Sequence, residues 1–225
     1  VRRVLVLFFI LFCTFLNGQN KISIRIYYSP DICYRSLISD SWIVDLRDDN
    51  EIMKYGNSIG TGIIYQFKPK YTIEIGIQYM TRGYQTKKNE VITRESDPVL
   101  PDKIKDIYSF DYLGFPIRLN FMMGLKRVRY KASIGIITNI LLKQEWENIL
   151  FYNDHTDILV ENMTDDYNKI GLTPVICFGL GYTISKSFEI QMEPTVQYDF
   201  LTVTDTSIKT YLLNFGLNLS LTYNL

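Results

Sequence analysis

Histidine is almost missing from this chain of 225 residues, where His155 stands alone. One imidazole cannot build a His-based metal centre, and it leaves a single candidate base for an ordinary catalytic triad. Cysteine is scarce as well, with three residues, so no dense disulfide framework is written in the spacing. Neither sign of charge is in excess: 24 Lys and Arg face 24 Asp and Glu, which removes the basic footprint of a nucleic-acid binder. No segment reaches the 18 or more apolar residues of a spanning helix. Phosphate loops, nucleophile elbows and zinc spacings are absent too. The residues therefore imply no cofactor, no metal ligand, no catalytic group and no enzyme activity.

What is present begins with Val1-Arg2-Arg3 and a nearly unbroken apolar run from Val4 to Leu16. A basic start followed by a short apolar stretch is the pattern of a secretory signal. With small Gly18 next, residues 1–18 are expected to be the signal peptide and 19–225 the exported domain. That domain is rich in Tyr, Phe and Ile but has no helical span. It is either a secreted or periplasmic β-protein or an outer-membrane barrel.

Period-two alternation decides the local structure. From Tyr211 to Leu225 every second residue reads Tyr, Leu, Phe, Leu, Leu, Leu, Tyr, Leu, with Asn, Gly, Ser and Thr prominent between them. The same reading predicts eight strands, near 21–34, 54–67, 71–84, 108–122, 128–142, 168–184, 188–203 and 210–225. The apolar faces, such as Leu113, Phe115, Ile117, Leu119 and Phe121 in the fourth strand, carry no charge in these runs. Short turns at Lys68-Pro69-Lys70, Met123 to Arg127 and Ser185 to Ser187 alternate with loops of about 19, 23 and 25 residues. Short turns on one side and long loops on the other describe an eight-stranded antiparallel up-and-down transmembrane β-barrel in the outer membrane of a Gram-negative bacterium, with both termini periplasmic.

Three features orient the apolar face toward outer-membrane lipid. Glycines gather on the polar face, as narrow interiors require. The last strand's polar face carries no Lys or Glu. Tyrosines bracket the apolar stretches at Tyr71 and Tyr79 and at Tyr211 and Tyr223, a candidate aromatic girdle. Twelve steps from Tyr211 to Tyr223 at ~3.3 Å and ~40° tilt cover roughly 30 Å along the membrane normal. A lipocalin-like soluble binder, with the apolar face turned inward, is the alternative. Pro116, Pro174 and Pro194 lie inside strands, where bulges or bends are expected.

The run Tyr112-Leu113-Gly114-Phe115-Pro116-Ile117-Arg118-Leu119 resembles an aromatic-Leu-x-apolar-Pro motif of the PorT-like outer-membrane β-barrel proteins. That family usually has an acidic residue where this chain has Gly114. The resemblance spans most of the exported domain and implies an outer-membrane barrel. Some relatives take part in protein secretion, so a secretion component or small transporter is a second functional expectation.

The polar face carries Arg25, Glu74, Arg118, Arg129, Lys131, Glu189 and Glu193, a candidate lumen charge network. Five of these, Arg25, Glu74, Arg118, Lys131 and Glu193, should share one height, with Glu74–Arg118 at the centre. An unpaired buried charge costs several kcal/mol, so they must pair. Cys33 and Cys177 face inward on non-neighbouring strands and are expected to be free thiols. The acidic stretch from Lys143 to Tyr167, with His155 between Asp154 and Asp157, reads as a solvated loop. Trp42 and Trp146 fall in the outer loops. The expected role is a non-enzymatic scaffold whose first three outer loops meet protein partners.

Overall fold

The structure, a computed structural model, describes residues 22–39, 41–91, 100–125 and 127–225. The expected signal segment lies outside these residues. Eight long strands carry the fold: β1 (Ile22–Ile38), β2 (Lys54–Lys68), β3 (Tyr71–Thr86), β4 (Lys103–Leu125), β5 (Val128–Phe151), β6 (Ile170–Thr183), β7 (Phe188–Tyr198) and β8 (Lys209–Asn224). Each pairs antiparallel with its chain neighbours, and β1 pairs with β8. The ring is closed, which removes the free edges that lipid cannot solvate.

Register fixes the barrel's geometry. A circuit that leaves β6 at Leu180 passes through Met192, Leu219, Tyr28, Ile59, Tyr79, Leu113 and Ile140. It returns to β6 at Ile170, ten residues along. Eight strands with that stagger tilt at about 40° and close at a radius of about 8 Å, too narrow for anything but side chains inside.

The alternation sorts faces as the apolar pattern requires. Ile75 is 56% exposed and Phe178 65%, on an outer surface of Ile, Leu, Phe and Tyr, while Arg25 and Glu74 are wholly buried inside. A soluble barrel would bury the first set and expose the second. Gly135 illustrates the crowding within, since a Cβ there would lie 2.9 Å from the Cα and Cγ of Arg118.

Several boundaries differ from the alternation reading. β4 and β5 run past the barrel and pair with each other from Lys103↔Phe151 onward, and a further strand, Thr156–Asn162, adds to β5. The segment from Lys143 to Tyr167 is therefore largely sheet rather than loop. Beyond the membrane both faces meet water, so the apolar alternation that marks a lipid-facing strand fades. β7 ends at Tyr198 instead of 203. There Thr202 and Thr206 hydroxyls donate to the carbonyls of Thr204 and Ile208 at 2.8 and 2.9 Å, favouring a turn over the ladder. The first outer connection contains helix α1 (Ser41–Asp48).

Bulges do not occur at the strand prolines. The β3–β4 ladder lapses beside Pro116 and the β6–β7 ladder beside Pro194, and both resume in the same register. Proline removes one donor, and the opposite neighbour, Ile137 or Leu217, keeps the alignment. The irregularities fall instead at Gln66/Lys68 and at Asp111/Tyr112.

Candidate functional site

The inner half of the lumen, near the short turns, holds a dense ionic layer. Glu74 receives Arg25 Nη1 at 3.0 Å, with Lys131 Nζ at 3.6 Å and Arg118 Nη1 at 3.8 Å. Arg25 Nη2 bonds Glu193 and also Asn218 Oδ1 at 2.8 Å, and Lys131 reaches Glu193 at 2.9 Å. These five side chains converge, and three cations face two carboxylates. Arg25 makes the shortest contact with Glu74, and the expected Glu74–Arg118 pair is present beside it at 3.8 Å. Gly62 of β2 lies between β1 and β3, and a Cβ there would sit 3.3 Å from Glu74 Cγ, so its bareness lets the two side chains meet over it. Arg118 also lies 5.3 Å over the Tyr27 ring, and its Nε and Nη1 find no hydrogen-bond partner among the described residues. Arg129 and Glu189 sit lower, paired at 3.1 Å at the mouth, where Arg129 is half exposed. A polar cavity of about 250 Å³ opens beside them.

A second polar centre lies in the outer half of the lumen. Arg82 Nη1 donates to Asp199 Oδ1 at 2.8 Å, and Nη2 donates to Gln197. Asp199 also accepts from Thr173 at 2.5 Å. Asp31 nearby accepts from the hydroxyls of Ser29 and Ser58, both at 2.6 Å. The sequence reading missed Arg82, Asp199 and Asp31. Their strand parity, shared with Glu74, Glu193 and Arg25, was the signal available.

Above and between these centres apolar side chains pack among buried amides such as Gln78, Asn139 and Gln144. Met80, Tyr84, Phe110, Tyr112, Ile137, Leu141, Val175, Val203 and Leu212 form one buried cluster. The barrel is thus plugged by a hydrophobic core of its own, which a purely polar inner face would not supply. Cys33 and Cys177 are buried free thiols. Among the described residues no group of three His, Cys, Asp or Glu side chains could hold a metal ion.

Aromatic side chains mark both ends of the outer surface. Near the short turns Tyr71 packs on Phe121 at 5.3 Å and Tyr223 on Phe188 at 5.1 Å. At the far end Tyr211 stacks on Tyr198 at 5.9 Å, and Tyr79 lies on the same outer face. Such rings suit the interface, where one end is apolar and the other wet.

The outer mouth is the most chemically varied surface. A cup of about 410 Å³ is lined by Arg35, Arg47, Tyr84, Tyr108, Trp146 and Tyr167, with hydroxyls from the β7–β8 connection. Arg35 lies 4.0 Å over the Tyr84 ring and is salt-bridged to Glu51. Trp146 donates its indole N–H to Asp106 at 2.8 Å. At the ribbon's tip His155 Nδ1 lies 2.6 Å from Asp154 Oδ1, and its ring stacks on Tyr152 at 4.4 Å. The Asp154 carboxylate holds the His155 pKa above its ordinary value of 6.5. These groups stand on the outer ends of β1, β3, β4 and β5 and on the connections beyond them, while the closed ring beneath holds them fixed.

A closed eight-stranded ring with an apolar exterior, tyrosine borders and a plugged ionic interior defines an outer-membrane β-barrel. Among solved structures, the outer-membrane protease OmpT of Escherichia coli matches with a TM-score of 0.50 at 8% identity, over 92% of this chain and 98% of that one. Neisserial surface protein A matches with a TM-score of 0.47 at 8% identity, over 91% and 97%. Ail, the attachment invasion locus protein of Yersinia pestis, matches with 0.39 at 13%, over 92% and 100%. No protein-family model matches the chain, and no curated protein matches it.

Proposed function

We propose that this protein is a non-enzymatic outer-membrane anchor that presents an extracellular contact surface to protein partners, with both termini in the periplasm. One observation carries the reading: β4, β5 and the Thr156–Asn162 strand continue as a paired ribbon beyond the barrel. A chain that needed only a membrane plug would have no use for a rigid sheet outside it. The plugged lumen weighs against a general diffusion pore. Kinship with the PorT-like barrels belongs to the same proposal and rests on residues 112–119. In the fold, Gly114, Pro116 and Arg118 turn into the lumen, while Leu113, Phe115 and Ile117 lie on the outer surface.

Photo-crosslinking in intact cells tests this. Probes at Trp42 of α1 and Leu159 of the ribbon should capture protein, while a probe at Ile75 should capture only lipid. Capture of lipid alone from all three positions would sink the reading.

A further inference from the structure

The outermost strand of the ribbon has an unusual edge. Thr156–Asn162 pairs with β5 on one side, and no described strand pairs with the other. Every residue in it is exposed, and Ile158, Leu159 and Val160 show 59%, 58% and 58% of their surface to water. Three consecutive apolar residues on an open edge present grease on both faces of the sheet at once. Edges are commonly blunted by Lys, Pro or a bulge. This one has none of these.

The phase of the ladder says which backbone groups point outward. Tyr152 N donates to His155 O at 3.0 Å, and Met163 N donates to Gln144 O at 3.1 Å. In an antiparallel ladder bonded pairs recur every second residue. The odd-numbered residues Asp157, Leu159 and Glu161 therefore bond to β5, and the N–H and C=O groups of Ile158 and Val160 face out. Those free groups can accept one more strand.

Charge selects which strand. Asp157 and Glu161 share one face with Leu159, and Glu147 lies across from Val160 on the other face. Among the described residues neither Glu147 nor Glu161 is in a salt bridge, and Asp157 has only His155 at 3.7 Å. A second copy of this chain is a poor partner in the register that overlaps the two strands fully. Antiparallel self-pairing centred on Leu159 sets Asp157 opposite Glu161 twice, in the closely spaced non-bonded positions where like charges repel.

We propose that the outer edge of Thr156–Asn162 is a docking rail for an extended peptide segment of a partner protein, added as an antiparallel strand. That segment carries Lys or Arg opposite Asp157 and Glu161 and apolar residues between them. The proposal rests on the reading of the outer elements as a contact surface and names its contact strand and the partner's chemistry.

The test uses the full barrel in detergent micelles and two synthetic peptides, Thr-Lys-Val-Thr-Ile-Lys-Thr and Thr-Glu-Val-Thr-Ile-Glu-Thr. Titration followed by calorimetry should give the basic peptide at least tenfold tighter binding than the acidic one. Val160→Pro should abolish binding while preserving the ribbon, since the N–H it removes points away from β5. Reversing both charges, Asp157→Lys with Glu161→Lys, should transfer the preference to the acidic peptide. Asp157→Lys alone makes self-pairing complementary and should produce a dimer on sedimentation. Equal affinity for both peptides, no binding of either, or full binding by Val160→Pro would overturn the proposal. If protein still crosslinks to Trp42 in that event, the broader contact reading stands and only the rail is lost.

Discussion

Arg25 and Glu74 meet at 3.0 Å although their strands are not neighbours, because Gly62 on the strand between them carries no side chain. Glu74 is also within 4.0 Å of Lys131 and Arg118, so one carboxylate holds three cations. All four groups are nearly or wholly out of water. Removing one partner from such a set leaves charge that the lumen cannot solvate.

Glu74→Gln should therefore lower stability by about 3–5 kcal/mol, read as a shift of the urea midpoint in detergent or lipid. Glu189→Gln removes a pair whose arginine is half exposed and should cost less than about 1 kcal/mol. Equal losses for the two variants would mean that the inner layer does not act as a buried network.

The lipid-facing surface makes a depth-dependent prediction. Ile75 lies midway between Tyr71 and Tyr79 on the exposed face of β3. Ile75→Arg should cost about 2–4 kcal/mol in vesicles, and Tyr71→Arg, at the border, about 0–1 kcal/mol. Unfolding measured in both membranes and short-chain micelles checks it. Matching costs at the two positions would argue that this face does not cross hydrocarbon.

Gly83 is a backbone requirement. Its φ is +151°, and a Cβ there would come 1.9 Å from the Tyr108 carbonyl oxygen. Gly83→Ala should cost about 1–3 kcal/mol through strain at the point where β3 joins β4 above the barrel. Retained stability by thermal unfolding would contradict the strain.

His155 gives a local pH readout. Its hydrogen bond to Asp154 raises the pKa above 6.5 in the folded ribbon. A raised folded value means the proton's stabilisation of this turn is fully present below 6.5 and is lost as pH rises through the folded pKa. As the only histidine, it gives one imidazole signal to follow by NMR. Asp154→Asn should bring its midpoint down toward 6.5, and an unchanged midpoint would remove Asp154 as the cause.

Much of the fold was legible from single residues. Alternation in Tyr71–Tyr79 and Tyr211–Leu225 reports which face a side chain takes, because strand geometry sends neighbours to opposite sides. The same parity placed Arg25, Glu74, Arg118, Lys131 and Glu193 on the inside. It did not identify Arg82, Asp199 and Asp31 as a second centre, because parity gives a face but not a height. The ribbon escaped notice for a related reason: Glu145, Glu147, Asp157 and Glu161 read as loop, although paired strands in water tolerate charge on both faces.

The chain alone determined that there would be eight staves, which turns would be short and which side would meet lipid, since these follow from local periodicity. Which cation grips Glu74, where the apolar plug closes the lumen and which edge of the ribbon stays open depended on a ten-residue stagger around a closed ring. That stagger brings together side chains far apart in sequence, and no local pattern encodes it.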